Sequence, residues 1–370
     1  MPNLAQQRIR PEALLRDAAA DPRVIGFAGG LPSVDRFPRT ALAAAFRRSI
    51  ERRDVPALQY AWPEGFGPLR QRIAERMAAR GAKVQAADVI VTSGAQQAIT
   101  IATQLVLRPG TSIGVDPETY PSALDAFRTF GSIPTVGTRA RVLYRMPVVS
   151  NPRGVGMTSA QRSQALTGRR WVIEDDAYCD LRFAGPAPPP LLATARDRVL
   201  YVGTFSKTLG PGLRLGFLIV PPTLQARALR RKADDDLQAN SLSQALVEDY
   251  LTHHDFEAFA KGLRHHYAQR AERLMRAVRR QLPSWSFEEP EGGFGLWIRT
   301  DRRADETRFL QRAVRAGVSF DPGTSFQCER PRGGPTCLRL CFSSVREDAI
   351  DEGTRRLARA WRTVAGVGVG

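Results

Sequence analysis

Short apolar runs alternate with longer amphipathic stretches along the first part of the chain. Runs at Asp88–Val91, Ser112–Val115, Arg141–Tyr144, Trp171–Ile173 and Val199–Val202 read as buried strands. Another apolar run, Leu215–Val220, follows a Gly-Pro-Gly turn. Stretches of helical spacing lie between them: Thr40–Arg53, Pro68–Arg80, Ala98–Leu107, a segment from Pro121 to about Phe130, and Ser159–Ala165. Strands alternating with helices imply an α/β fold with a mostly parallel, doubly wound sheet. One interval breaks the rhythm. Between Phe130 and Arg141 there is no room for a crossover helix, which needs a dozen or more residues. Either one connection there is short or two strands are antiparallel.

After Gln225 the pattern changes to long helices, including the arginine-rich stretch His254–Leu282. Beyond it come a strand at Gly292–Ile298, a helix at Asp305–Ala316, strands at Val318–Phe320 and Thr336–Phe342, and a closing helix at Glu347–Trp361. This is the pattern of a second, smaller α/β unit. The expected organisation is an N-terminal arm and part of the small domain in residues 1–39, a large domain in 40–262 and a small C-terminal domain in 263–370. The arm, Met1–Asp21, carries a short helix at Pro11–Ala20.

Composition narrows the field of functions. No apolar run approaches the roughly 20 residues needed to cross a bilayer. Met1–Arg16 lacks the apolar core of a secretory signal, so a cytoplasmic location is expected. The net charge of +17 raises nucleic-acid binding, but the arginines are dispersed and not interleaved with aromatics, so no nucleic-acid partner is expected. Cys179, Cys328, Cys337 and Cys341 have no metal-ligand spacing; no metal is expected, and Cys337 and Cys341 read as core-facing strand residues. The histidine doublets His253-His254 and His265-His266 read as surface residues of a helix.

Lysine is scarce. Lys83, Lys207, Lys232 and Lys261 stand against a large excess of arginine. Lys207 directly follows a strand and a small-residue turn, Thr204-Phe205-Ser206. A lysine amine can become a nucleophile or form a Schiff base, which arginine cannot. Polar clusters close the other strands: Thr92 to Gln97, Asp116 to Pro121, Ser150-Asn151, and Glu174 to Tyr178. In doubly wound sheets ligands sit beyond these carboxyl ends. The small polar turn at Ser93–Gln97 offers a helix N-terminus to a phosphate. Arg214 is a second anion binder. Arg339, among apolar neighbours in its strand, must be ion-paired or bind an anionic ligand. Lysine, carboxylate, tyrosine, asparagine and anion binders together suit pyridoxal phosphate.

At these residues the chain resembles the fold-type I pyridoxal-phosphate enzymes of the class I/II aminotransferase family, in the branch of α-aminoadipate and kynurenine aminotransferases. The resemblance runs from Gly29-Gly30-Leu31-Pro32 to Arg339 and is carried above all by Thr204-Phe205-Ser206-Lys207 with Pro211-Gly212-Leu213-Arg214-Leu215-Gly216. It implies an aspartate-aminotransferase-like fold and transfer of an amino group from an L-α-amino acid to a 2-oxo acid. By resemblance Lys207 is the Schiff-base lysine and Asp175 the partner of the pyridine nitrogen. Tyr178 and Asn151 contact the ring hydroxyl, and Tyr120 stacks on the ring. Ala95, Gln96, Thr204, Ser206 and Arg214 hold the phosphate. Arg339, with Gly30 and Asn151, binds the substrate. Tyr60 resembles the tyrosine that reaches the phosphate of a neighbouring subunit, implying a homodimer with shared active sites. Trp62, Phe27 and the arm are placed near the substrate side chain by position. The chain departs from the family pattern at Arg153, Ala95 and Asp321, and in a segment after Phe130 that is short by roughly a strand–helix unit. The alternative is another reaction of the same quinonoid chemistry: elimination, replacement, cyclisation or oxidation. A ligand-sensing regulator is a further alternative, but no winged-helix segment precedes Pro11.

Overall fold

The computed structural model describes residues 11–52, 54, 57–329 and 333–365; the first part of the expected arm, Met1–Arg10, lies outside them. The chain opens with α1 (Pro11–Ala20), β1 (Ile25–Phe27), α2 (Arg39–Glu51) and α3 (Gly67–Ala79). It then winds through β2 (Val89–Thr92), α4 (Ala95–Val106), β3 (Ser112–Val115), α5 (Pro121–Thr129), β4 (Ile133–Val136) and β5 (Val142–Arg145). Next come α6 (Ser159–Ala165), β6 (Trp171–Asp175), α7 (Leu191–Thr194), β7 (Val199–Thr204) and β8 (Gly216–Ile219). Three helices follow: α8 (Gln225–Asp236), α9 (Ser241–His253) and α10 (Phe256–Gln281). The chain ends with β9 (Ser286–Phe287), β10 (Gly295–Arg299), α11 (Glu306–Arg315), β11 (Val318–Pro322), β12 (Cys337–Cys341) and α12 (Ile350–Ala365).

A seven-stranded sheet has the order β2-β8-β7-β6-β5-β3-β4. Strands β4, β3, β5, β6 and β7 run parallel, and β8 is antiparallel to both β7 and β2. Alternate residues of these strands enter different cores. Ile90, Ile173, Leu200 and Leu218 pack on one face, while Val89, Val172, Tyr201 and Ile219 pack on the other. Both faces are apolar because helices cover both, as in doubly wound sheets.

Strand β4 was not anticipated from the sequence. It pairs in parallel with β3 at the sheet edge, and residues 137–141 carry the chain past β3 to β5. The short interval is therefore a helix-free connection between parallel strands, not an antiparallel pair. The strand missing from the expected count is present; only a crossover helix is absent. Buried Arg145 closes the gap by donating to the carbonyls of Gly114 (2.9 Å), Gly137 (3.0 Å) and Tyr144 (2.7 Å). Satisfying buried carbonyls this way stands in for bonds a longer connection would make.

A second sheet has the order β1-β11-β12-β10-β9, so β1 from the N-terminal segment joins strands from the C-terminal part. Its antiparallel register sets Asp321 opposite Arg339. The 26-residue helix α10 links the two regions, its start capped by the Asp255 carboxylate on the Ala258 N–H. Its buried stripe includes Leu263, His266, Tyr267, Arg270 and Leu274. His266 is thus buried rather than on the surface, and desolvation pushes its pKa down to about 4. Cys341 is buried in the core while Cys337 is only partly covered. Among the described residues no grouping suits a metal ion, and no helix is long and apolar enough to cross a membrane.

Candidate active site

The polar strand ends meet at the C-terminal edge of the seven-stranded sheet. A cavity of about 290 Å³ lies there, and Gly30, Tyr120, Asn151, Tyr178, Lys207 and Arg339 are all on its wall. Sequence and topology agree at this point: parallel strands deliver their C-terminal loops to one side.

Lys207 follows β7 and its half-buried side chain reaches between two aromatic rings. Its Nζ is 5.3 Å from the ring centre of Tyr178 and 5.7 Å from that of Phe294. It makes no hydrogen bond or ion pair among the described residues. Tyr178 and Phe294 meet edge to face, with ring centres 5.3 Å apart, which fixes the collar around the amine.

Asp175 ends β6 and is 2 % exposed. Its Oδ2 accepts a 2.5 Å hydrogen bond from the Tyr144 hydroxyl, and its Oδ1 accepts from the Ala177 N–H at 3.2 Å. Burial pushes its pKa up to about 6, against the pull of these two donors. The charge of Lys207 also favours the carboxylate. Tyr144 was not singled out by sequence reasoning. It lies on β5, next to β6, and no local motif announces a partner so far along the chain. Burial pushes its own pKa well up, so it remains a donor.

The expected phosphate cradle is built from close backbone approaches. Helix α4 begins at Ala95, three residues earlier than expected, so Ala95 and Gln96 lie in its first turn. Its N-cap is Gly94, which has φ +88° and no side chain to cap the free amides. A Cβ on Gly94 would lie 2.7 Å from Nη2 of Arg214. A Cβ on Gly216 would lie 2.7 Å from the Gly94 carbonyl carbon and 2.8 Å from the Ala95 nitrogen. Exposed Arg214 donates to the Ser93 carbonyl at 3.2 Å, which aims its guanidinium across this turn. The Thr204 hydroxyl donates to the Ser206 hydroxyl at 3.0 Å, bringing two more oxygens together. The helix N-terminus, arginine and hydroxyls suit a phosphate.

Arg339 is both ion-paired and exposed to the cavity. Its Nε and Nη2 donate to Asp321 Oδ2 at 3.0 and 2.7 Å, and its Nη1 donates to Asn151 Oδ1 at 2.6 Å. Gly30 packs directly on it, since a Cβ there would lie 3.0 Å from Nη2. The Phe326 ring covers the guanidinium, with its centre 4.6 Å from Cζ. Phe326 was not singled out by sequence reasoning.

Trp62 and Phe27, placed near the substrate by position, are not on this cavity's wall, and Tyr60, expected to reach a neighbouring subunit, points outward. Tyr60 and Trp62 are 78 % and 77 % exposed, and Phe27 is fully buried in the core. The arm contributes Leu15 instead. Arg153 turns away to pair with Glu288 at the surface. The residues present fit pyridoxal phosphate: a free amine, a buried carboxylate that would meet a protonated ring nitrogen, and a phosphate cradle that added Cβ atoms would fill.

The model of the family "Aminotransferase class I and II" matches residues 22–136 and 146–357, and its interruption covers the helix-free connection and β5 itself. The 2-aminoadipate transaminase of Thermus thermophilus is 31 % identical over 367 residues, covering 92 % of this chain and 90 % of its own. Aromatic-amino-acid aminotransferase 1 of Thermococcus litoralis is 31 % identical over 365 residues, covering 90 % and 87 %. The crystal structure of the Thermus thermophilus α-aminoadipate aminotransferase LysN, complexed with N-(5'-phosphopyridoxyl)-L-leucine, superposes with a TM-score of 0.85 at 30 % identity, covering 95 % of this chain and 94 % of that one. With the family model matched on both sides of β5, the chain belongs to the class I and II aminotransferases, enzymes of aspartate-aminotransferase-like fold that work with pyridoxal phosphate.

Proposed function

We propose that the cavity between Lys207 and Arg339 transfers the amino group of an L-α-amino acid to a 2-oxo acid, with Lys207 as the residue that carries the cofactor. One observation carries this reading. An unpaired primary amine and a buried guanidinium face the same small cavity, and buried Asp175 senses the charge of that amine.

Pyridoxal phosphate, when bound, supplies an electron sink that stabilises negative charge at the substrate α-carbon. Asp175 would keep the ring nitrogen protonated, and Tyr144 holds Asp175 in place. Tyr178 and Asn151 would hold the ring hydroxyl, and Tyr120 would lie against the ring. The amides of Ala95 and Gln96, the hydroxyls of Thr204 and Ser206, and Arg214 receive the phosphate. Arg339, Asn151 and the Gly30 backbone would orient the α-carboxylate in the cavity that Lys207 also lines. The Lys207 amine then takes the α-proton as general base. Tyr178 and Phe294 flank the amine.

The same reading includes a homodimer. Leu58, Tyr60 and Trp62 form an exposed apolar stretch, and Phe46 and Ile50 are also partly bare. Such surfaces mark association. Tyr60 would complete the phosphate site of the partner subunit. The reading divides the chain at residues 1–39, 40–262 and 263–370, with the last boundary inside α10. Four free cysteines suit the reducing cytoplasm.

The test is a half-reaction. Purified holoenzyme is mixed with single amino acids and its visible spectrum followed, then a 2-oxo acid is added. Conversion to the amine form of the cofactor, reversed by the oxo acid with paired products, supports transamination. Ammonia, peroxide or a cyclic product formed without an oxo acid would refute it.

A further inference from the structure

We propose that this site selects amino acids with a single carboxylate and an uncharged, apolar or aromatic side chain, and that Asp321 sets this selection by neutralising Arg339. The inference rests on the transamination reading for the meaning of the site, but not for its test.

The ion pair is fixed by the sheet. Strands β11 and β12 run antiparallel with Asp321 opposite Arg339. Asp321 Oδ2 accepts from Arg339 Nε and Nη2 and from the Cys341 thiol at 3.4 Å, and Oδ1 accepts from the Gly29 N–H at 2.9 Å. Both oxygens are engaged, so Asp321 is not a receptor for a basic substrate side chain. It ties together the ends of β1, β11 and β12.

Arg339 has five N–H donors. Asp321 takes one on Nε and one on Nη2, and Asn151 takes one on Nη1. One N–H remains on each terminal nitrogen, enough donors for the two oxygens of one carboxylate.

The charge of the cavity then decides the side chain. Among the described residues its wall holds two cations, Lys207 and Arg339, and one carboxylate, Asp321. With Lys207 committed to the cofactor, Arg339 and Asp321 cancel. The α-carboxylate of one substrate leaves the site one negative charge in excess, yet a basic side chain finds no open carboxylate there because both Asp321 oxygens are engaged. A second carboxylate would enter without a counter-ion and lose its hydration. The remaining wall is uncharged: Leu15, Pro121, Pro322 and Phe326 are apolar, and Tyr120, Ser122, Asn151, Tyr178 and Ser325 add only neutral polar groups. Phe326 itself is braced edge-on by Trp297, with ring centres 5.7 Å apart.

The experiment uses unreactive carboxylates on the holoenzyme, with affinity read by calorimetry and by the shift of the cofactor absorbance. The probes are 3-phenylpropanoate, glutarate and 5-aminopentanoate. The expected order is 3-phenylpropanoate tighter than either of the others by about tenfold or more. Asp321→Asn keeps an acceptor for Arg339 but removes the charge. Two carboxylates feel that change more than one does. At about 10 Å and an effective dielectric of 20–40, the extra effect on the second carboxylate is about tenfold. The ratio of phenylpropanoate to glutarate affinity therefore falls about tenfold in the variant. Asp321→Thr, also uncharged, serves the same comparison if the amide variant does not fold. Equal or tighter binding of glutarate or 5-aminopentanoate to the native enzyme would overturn the substrate class. An unchanged ratio in the variant would overturn the role of Asp321. If no amino acid undergoes the half-reaction while the carboxylate order holds, the transamination reading fails and this one stands.

Discussion

Replacing Tyr144 with phenylalanine removes one hydroxyl and leaves the ring. The ring keeps its edge-to-face contact with Phe127, at 5.4 Å between centres. What is lost is the 2.5 Å hydrogen bond to Asp175 Oδ2. A buried hydrogen bond to an ionised group is worth about 1.5–3 kcal/mol. At about 1.4 kcal/mol per pKa unit, its loss raises the Asp175 pKa by about 1–2 units. The carboxyl that titrates near about 6 in the native protein would then titrate near about 7–8. A protonated Asp175 offers no counter-charge to a protonated ring nitrogen, so cofactor affinity should follow the ionised fraction.

The assay is the dissociation constant of pyridoxal phosphate from pH 5 to about 9, read by visible absorbance, for both proteins. Titrations of the phosphate and of Lys207 are common to both and cancel in the ratio. The ratio should be near one at about pH 9 and widen as pH falls through 8 to 6, reaching about 10–100-fold. A ratio independent of pH would refute the argument. Stability gives a second reading with a definite sign. The native pKa of Asp175 lies above its ordinary 3.8, so the folded cofactor-free protein binds this proton more tightly than the unfolded chain. The contribution of this group to stability is greatest below that ordinary value and is lost as pH rises towards about 6, by about 3 kcal/mol in total. In Tyr144→Phe the decline should continue to about pH 7–8, visible as a lower Tm for the cofactor-free variant at neutral pH.

Other substitutions probe separate parts of the site. Lys207→Ala should leave the circular dichroism of the protein unchanged but abolish the visible band of covalently held cofactor; a variant that keeps the band would remove Lys207 from its role. Asp176→Ala strands the Arg80 guanidinium, which is now paired at 2.7 Å and largely buried, and should cost about 3–5 kcal/mol in denaturant unfolding. Gly216→Ala forces a methyl against the backbone of Gly94 and Ala95, all within 2.9 Å, and should weaken cofactor binding and cost about 1–3 kcal/mol of stability.

Legibility in the sequence followed the range of the interactions involved. Lys207, Asp175, Asn151 and Tyr120 each stand at the end of a short apolar run, and parallel topology sends all such ends to one edge. Their assembly was therefore readable from local pattern alone. Strand β4 was not, because its outer residues Ile133 and Val136 are exposed at the sheet edge and Pro134 interrupts its polarity pattern. His266 was readable in principle: it falls in helical register with Leu263 and Arg270, on the buried stripe of α10, but a histidine doublet masks that spacing. The pairing of Asp321 with Arg339 was beyond reach for a different reason. Each residue was conspicuous, one as an acid before a Pro-Gly turn and one as a cation in an apolar strand. Their contact depends on the register of two strands joined by a long loop, and a slip of one residue would turn Asp321 to the opposite face. The sequence thus locates where charge is needed, whereas only the register decides whether the arginine meets a substrate as a free cation or as half of an ion pair. That difference separates a site open to dicarboxylic acids from one that accepts a single carboxylate.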